Sequence, residues 1–154
     1  MYPLTAKQSI AWALSQRGIP PSEIAERTKN TRQYVHQTLK IAETKVSKAL
    51  LEVARSGSLQ ILKMQPEQGI MVGYQPMLNR NVVVTFTTKN GVKVWYWHDK
   101  PEKVTDEKLL RETREYLFNE AEERGIRLTP EEKNMHPARL AQTLFTRLLG
   151  EIVS

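Results

Sequence analysis

The sequence predicts an α+β fold, and three features of its hydrophobic patterning carry that expectation. From Arg32 to Arg55 no Gly or Pro interrupts apolar residues at helical spacing, so one long helix is expected there. Around Asn90-Gly91 the period shortens to two, between Val82-Val83-Val84-Thr85-Phe86-Thr87-Thr88 and Val92-Lys93-Val94-Trp95-Tyr96-Trp97-His98, which marks an antiparallel β-hairpin. Past residue 105 helical spacing returns in two further segments. The expected order is three helices with a long third, a small antiparallel sheet, then two C-terminal helices.

Each element has a local reason. Thr5 with Gln8 forms a capping-box signature for a first helix over residues 6–17, with Ile10, Ala13 and Leu14, and Trp12 close by, as its inner face and Gly18 as its stop. Pro20 and Pro21 suit only a first helical turn, and Ser22 and Glu23 favour its positive end, so a second helix runs from there to about Thr28. Thr31 is the N-cap of the third, whose seam is Val35, Leu39, Ala42, Val46, Ala49, Leu50 and Val53. That seam must be buried against the rest of the chain or against a second copy.

Ser56-Gly57-Ser58 ends the long helix and divides the chain into residues 1–57 and 58–154. Strands follow at 59–64 and 69–74, around a turn from Pro66 to Gln68. A two-residue turn at Asn90-Gly91 sets Phe86 opposite Trp95 and Val84 opposite Trp97 on a buried face, with Thr85 opposite Tyr96 and Thr87 opposite Val94 on the other. A helix beginning at Thr105, Asp106 and Glu107 runs to about Arg124 with Leu109, Leu110, Tyr116, Leu117 and Ala121 inward and Gly125 as its stop. The last, over 137–152, buries Leu140, Leu144, Phe145, Leu148 and Leu149.

Composition narrows the function classes. The net charge is +6, and its sources are uneven: residues 1–57 hold nine Lys/Arg against four Asp/Glu, whereas residues 105–154 hold eight against ten. A basic excess concentrated at one end suits a polyanionic partner. The absence of cysteine excludes disulfides, thiolate metal sites and cysteine nucleophiles. The start Met1-Tyr2-Pro3-Leu4 lacks a secretion signal, and no apolar run approaches the roughly 20 residues of a membrane helix, so a cytoplasmic protein is expected.

The most informative stretch is Ile24-Ala25-Glu26-Arg27 followed by Thr31-Arg32-Gln33-Tyr34-Val35-His36-Gln37-Thr38-Leu39. Ala25 is small enough for two helices to approach closely, while Val35 and Leu39 put an apolar stripe on one side of the second helix. Thr31, Arg32, Gln33, His36, Gln37 and Lys40 are left for the other side. Arg and Gln forks bond guanine and adenine edges in a major groove, Lys holds phosphate, and Thr31 can both cap its helix and touch phosphate. The pattern is that of a helix-turn-helix, with double-stranded DNA as the expected partner.

Through Leu4-Thr5-Ala6-Lys7-Gln8, Ile24-Ala25-Glu26-Arg27 and Thr31-Arg32-Gln33-Tyr34-Val35, with Gly18-Ile19-Pro20 between the first two helices, residues 4–49 resemble the helix-turn-helix of sigma-70 region 4 and LuxR-type regulators. The whole arrangement is similar to archaeal Tfx-type DNA-binding proteins. The resemblance implies a sequence-specific transcription regulator with Thr31, Arg32, Gln33, His36, Gln37 and Lys40 as DNA contacts, and because one helix reads only a few base pairs while two half-sites multiply discrimination, a homodimer is expected. Residues 58–154 would then serve dimerisation or the sensing of an unidentified small effector. Where those families have Leu-Gly-Ile, this chain reads Thr28-Lys29-Asn30, so Lys29 or Asn30 must take the left-handed turn conformation. That departure favours an alternative, a degenerate helix-turn-helix that docks on the transcription machinery.

Other chemistry finds little support. Trp95, Tyr96 and Trp97 read chiefly as core, with Tyr96 the one aimed elsewhere and able to stack an unpaired base. His98-Asp99 and His136 lack paired ligand spacing, so no metal is expected. Phosphate-binding glycine loops, a nucleophile elbow and an HExxH run are all missing, and the chain is expected to have neither enzymatic activity nor a cofactor.

Overall fold

A computed structural model of the chain describes residues 4–100, 103 and 105–150. The elements in order are α1 (Ala6–Gln16), α2 (Pro21–Thr28), α3 (Arg32–Ser56), β1 (Gln60–Gln65), β2 (Ile70–Gln75), β3 (Arg80–Thr87), β4 (Gly91–Tyr96), α4 (Glu107–Glu123), α5 (Pro130–Lys133) and α6 (Pro137–Leu149). A 3-10 turn over Pro66–Gln68 joins β1 to β2. The four strands form an antiparallel meander in the order β1-β2-β3-β4. The fold is α+β, and helices cover both faces of the sheet.

One face carries the second half of α3. Ala42, Val46, Leu50 and Ala54 pack with Trp12 of α1 on Met71, Val82, Val84 and Phe86, and the rings of Trp12 and Phe86 meet edge to face at 5.8 Å. The other face carries α4 and α6, where Leu117, Ala121, Leu140, Leu144 and Phe145 cover Ile70, Val72 and Val83. A third, smaller core of Ala11, Ile24, Ala25 and Val35 closes α1, α2 and the start of α3. The first half of α3 thus belongs to one core and its second half to another.

Several details differ from the sequence expectation. β3 is buried on both faces rather than one, because both sides are covered by helices. The hairpin pairs Thr87 with Gly91, Val84 with Val94 and Val83 with Trp95, not Phe86 with Trp95. An odd shift in register moves each side chain of one strand to the opposite face, so Trp95 lies beside Val83 on the α6 side, 5.4 Å from Phe145. The observed turn is held locally, by the Asn90 amide donating to Thr87 Oγ1 at 3.0 Å, and from α4. Asn90 donates through Nδ2 to the Tyr116 carbonyl at 2.9 Å and to Glu120 at 3.2 Å, and accepts from Asn119 at 2.9 Å. Only Gly91, at φ 71, is left-handed, whereas a two-residue Asn-Gly turn requires positive φ at both positions.

In α1, Ala11 and Trp12 are buried while Ile10 faces outward, and in α4 Leu109 is exposed. Asp106, rather than Thr105, caps α4, its side chain accepting from the Leu109 amide at 3.1 Å. The short α5 comes in addition to the two C-terminal helices expected. It opens with a capping box in which Thr129 and Glu132 each accept from the other's amide.

A buried polar network fastens α4 to the sheet. Glu120 is 0% exposed and accepts from Thr85 at 3.0 Å, Asn90 at 3.2 Å and Arg124 Nε at 3.3 Å. Trp95 in turn donates to Thr85 at 2.8 Å, and Arg124 donates to the carbonyls of Phe86, at 3.2 Å, and Gln68. Burial pushes the Glu120 carboxyl above its ordinary value, and the Arg124 charge opposes that rise.

Candidate nucleic-acid interface

The turn between α2 and α3 closes in a regular way despite its unusual residues. Lys29 takes the left-handed conformation, φ 56 and ψ 44. The Asn30 amide donates to the Ala25 carbonyl at 2.9 Å and the Lys29 amide to Glu26 at 3.4 Å, the double bond of a Schellman closure. The Asn30 side chain adds a bond to the Thr28 carbonyl at 3.1 Å, and the Thr28 hydroxyl donates to the Ile24 carbonyl at 2.7 Å. These local bonds hold the turn without apolar residues at Thr28, Lys29 and Asn30.

Thr31 is extended, φ −80 and ψ 155, and its Oγ1 accepts from the Tyr34 amide at 3.0 Å. It is the N-cap of α3, and its hydroxyl proton remains able to donate. From there the helix separates its residues by side. Val35 and Thr38 turn inward, Val35 against Ile24 and Ala25, while Thr31, Arg32, Gln33, His36, Gln37 and Lys40 are all exposed. At 1.5 Å per residue, the stretch from Arg32 to Lys40 spans about 12 Å, close to the width of the major groove of B-DNA.

Two residues beyond the six belong to the same surface. Tyr34 is exposed, with Lys7 Nζ of α1 5.7 Å from its ring centre. Together with Ile10 and Thr38 they line a groove of about 220 Å³ between α1 and α3. Lys7 was legible only as a charge within the first helix, because its nearness to Tyr34 depends on how α1 crosses α3. On α2, Arg27 is tied to Glu23 at 3.4 Å.

The remaining candidates lie apart. Trp95 and Trp97 are partly buried against the α4–α6 core, and Tyr96 is half-exposed on the opposite face of β4. His98 sits near Arg80 in a cleft with Asp99, Lys100 and Lys103, and burial and then the Arg80 charge hold its imidazole below the ordinary value. His136 accepts from the Ala138 amide at 3.1 Å at the start of α6. Among the described residues no cluster of His, Asp or Glu is suited to hold a metal, and no helix is long and apolar enough to cross a membrane.

Fold and surface together define a class: an α+β protein whose N-terminal helix pair presents a polar, basic helix face. Comparison with protein-family models, with curated proteins and with solved structures returns no match.

Proposed function

We propose that this chain is a cytoplasmic, homodimeric transcription regulator that reads double-stranded DNA with the first turns of α3, as Tfx-type proteins would. One observation carries the reading. Five basic or amide side chains stand exposed on one side of a helix whose other side is locked, through Val35, against Ile24 and Ala25. Arg32, Gln33 and Gln37 offer the forks that pair with guanine and adenine edges, and His36 adds a further donor or acceptor. Thr31 and Lys40 reach phosphate at the two ends of this stretch. The part from residue 58 onward serves dimerisation and the sensing of any small effector.

The test is a titration by fluorescence anisotropy, using duplexes selected from a random library alongside unselected ones. Arg32→Ala weakens binding to the selected duplex by about 1–3 kcal/mol, roughly 5- to 150-fold, and leaves random DNA nearly unaffected. Equal affinity of the two proteins for the selected duplex would remove Arg32 from base reading. Salt separates this reading from docking on the transcription machinery. A protein neutralising several phosphates loses orders of magnitude in DNA affinity between about 50 and 200 mM salt, and a flat response would leave only the docking role.

A further inference from the structure

Among the described residues no further strand pairs with β1 or β4, the two edges of the sheet, and these edges are protected unequally. β1 carries a bulge between Ile61 and Lys63, and Lys63 donates to the Leu149 carbonyl at 2.9 Å. Bulges and lysines are devices that keep an edge strand from pairing. β4 has no bulge, since it keeps unbroken register with β3 from Gly91 to Tyr96. Its one charged residue, Lys93, lies over the Tyr116 ring of α4 at 3.8 Å, so the bulge in β1 is what distinguishes the two edges. Val94 and Tyr96, on the face away from α4, remain 41% and 47% exposed.

The backbone of β4 has a definite polarity. The Trp97 amide donates to the Asn81 carbonyl at 2.9 Å, in line with the register of the hairpin. Antiparallel strands alternate, so Lys93, Trp95 and Trp97 turn their backbone groups toward β3. Those of Val92, Val94 and Tyr96 point outward.

We infer that two copies of this chain join through β4, antiparallel, about a two-fold axis at Val94. This rests on the homodimer of the proposed function and names its contact. The register sets Val94 opposite Val94 of the second copy and Val92 opposite its Tyr96, so every outward backbone group finds an outward partner. Lys93 falls opposite Trp95 of the second copy, and no two like charges face each other. The four-stranded sheets become one of eight strands. Because the axis stands perpendicular to that sheet, both α3 helices lie on the same side of it, as the reading of one duplex requires.

The chain contains no cysteine, so a single introduced thiol reports its own contacts. With Val94→Cys and a short bismaleimide, crosslinked dimer forms at low micromolar protein, because the self-opposed positions lie about 5.5 Å apart between Cα atoms. Leu62→Cys on β1, 58% exposed, reacts as a monomer under the same conditions. Light scattering then gives a wild-type mass twice the 17.8 kDa of the chain. Val94→Lys halves that mass and leaves the far-ultraviolet spectrum unchanged. A monomeric wild type, no crosslinking at Val94→Cys, or equal crosslinking at Leu62→Cys would overturn the interface. A dimer indifferent to DNA would end the proposed function and leave the interface intact, whereas a monomer that binds a half-site would end the interface and the homodimer and leave only the reading of DNA by α3.

Discussion

Replacing Glu120 by Ala tests the network that fastens α4 to the sheet. The carboxylate is fully buried, and its removal strands the Arg124 Nε, 3.3 Å away on a side chain only 3% exposed. Thr85 can turn its hydroxyl, which also accepts from Trp95, and Asn90 keeps its bond to the Tyr116 carbonyl. The cost is therefore dominated by the buried, unpaired guanidinium, for which about 3–5 kcal/mol is usual. Arg124 retains carbonyl partners at Phe86 and Gln68, which places the expectation at the lower end, about 3 kcal/mol. Urea unfolding followed by the fluorescence of Trp12, Trp95 and Trp97 reads the change at one fixed protein concentration. Joint replacement, Glu120→Leu with Arg124→Met, should cost less than Glu120→Ala alone, since it removes both charges. A loss below about 1 kcal/mol for Glu120→Ala, or a double variant worse than the single, would refute the assignment of a buried pair.

Two further outcomes follow from local geometry. Lys29 holds a left-handed conformation at φ 56, so Lys29→Gly should raise stability by about 0.5–1 kcal/mol despite the added chain entropy, an effect visible as a higher urea midpoint. The Glu132 carboxyl is held below its ordinary value, first by the Thr129 amide and also by Arg147, with burial opposing. A depressed carboxylate stabilises the fold above its unfolded value and loses that contribution as pH falls through the folded value. The advantage of the wild type over Glu132→Gln, about 1 kcal/mol at neutral pH, should therefore be constant above roughly pH 4.5 and shrink on the acid side. An advantage that persisted undiminished into strong acid would discount the ion pair and the cap alike.

The parts of the fold legible in the sequence were those specified by neighbours in the chain. Thr5 and Gln8 form the capping box that their spacing announced, and Gly18 and Gly125 stop their helices at positive φ. The face of a helix was harder to read where both sides carry apolar residues. Ile10 and Trp12 compete in α1, and the crossing of α1 over the sheet decides for Trp12. The hairpin turn is held locally by Thr87 and also by partners of Asn90 on α4, and the sequence alone does not announce the latter. Glu120 was hidden for the opposite reason, since a glutamate on an amphipathic helix is ordinarily solvated. Of the candidate surface, the face of α3 was readable from its period, whereas the pairing of Lys7 with Tyr34 required the third dimension.

α3 links the two halves of the proposed mechanism. Its 25 residues form one helix, about 37 Å long, without the Gly or Pro that would kink it. One end carries the exposed Arg32 to Lys40 face, and the other is held in the sheet core by Val46, Leu50 and Ala54. Cross-ties strengthen the arrangement: Gln16 donates to the Glu67 carbonyl at 2.8 Å, Lys45 to Gln8 at 2.9 Å, and Trp12 sits against Phe86. One unbroken helix therefore ties the basic face to the sheet. The spacing of two reading faces in the proposed dimer is set by how the β4 edges meet. Regulation by an effector would act on that contact, tilting one copy against the other.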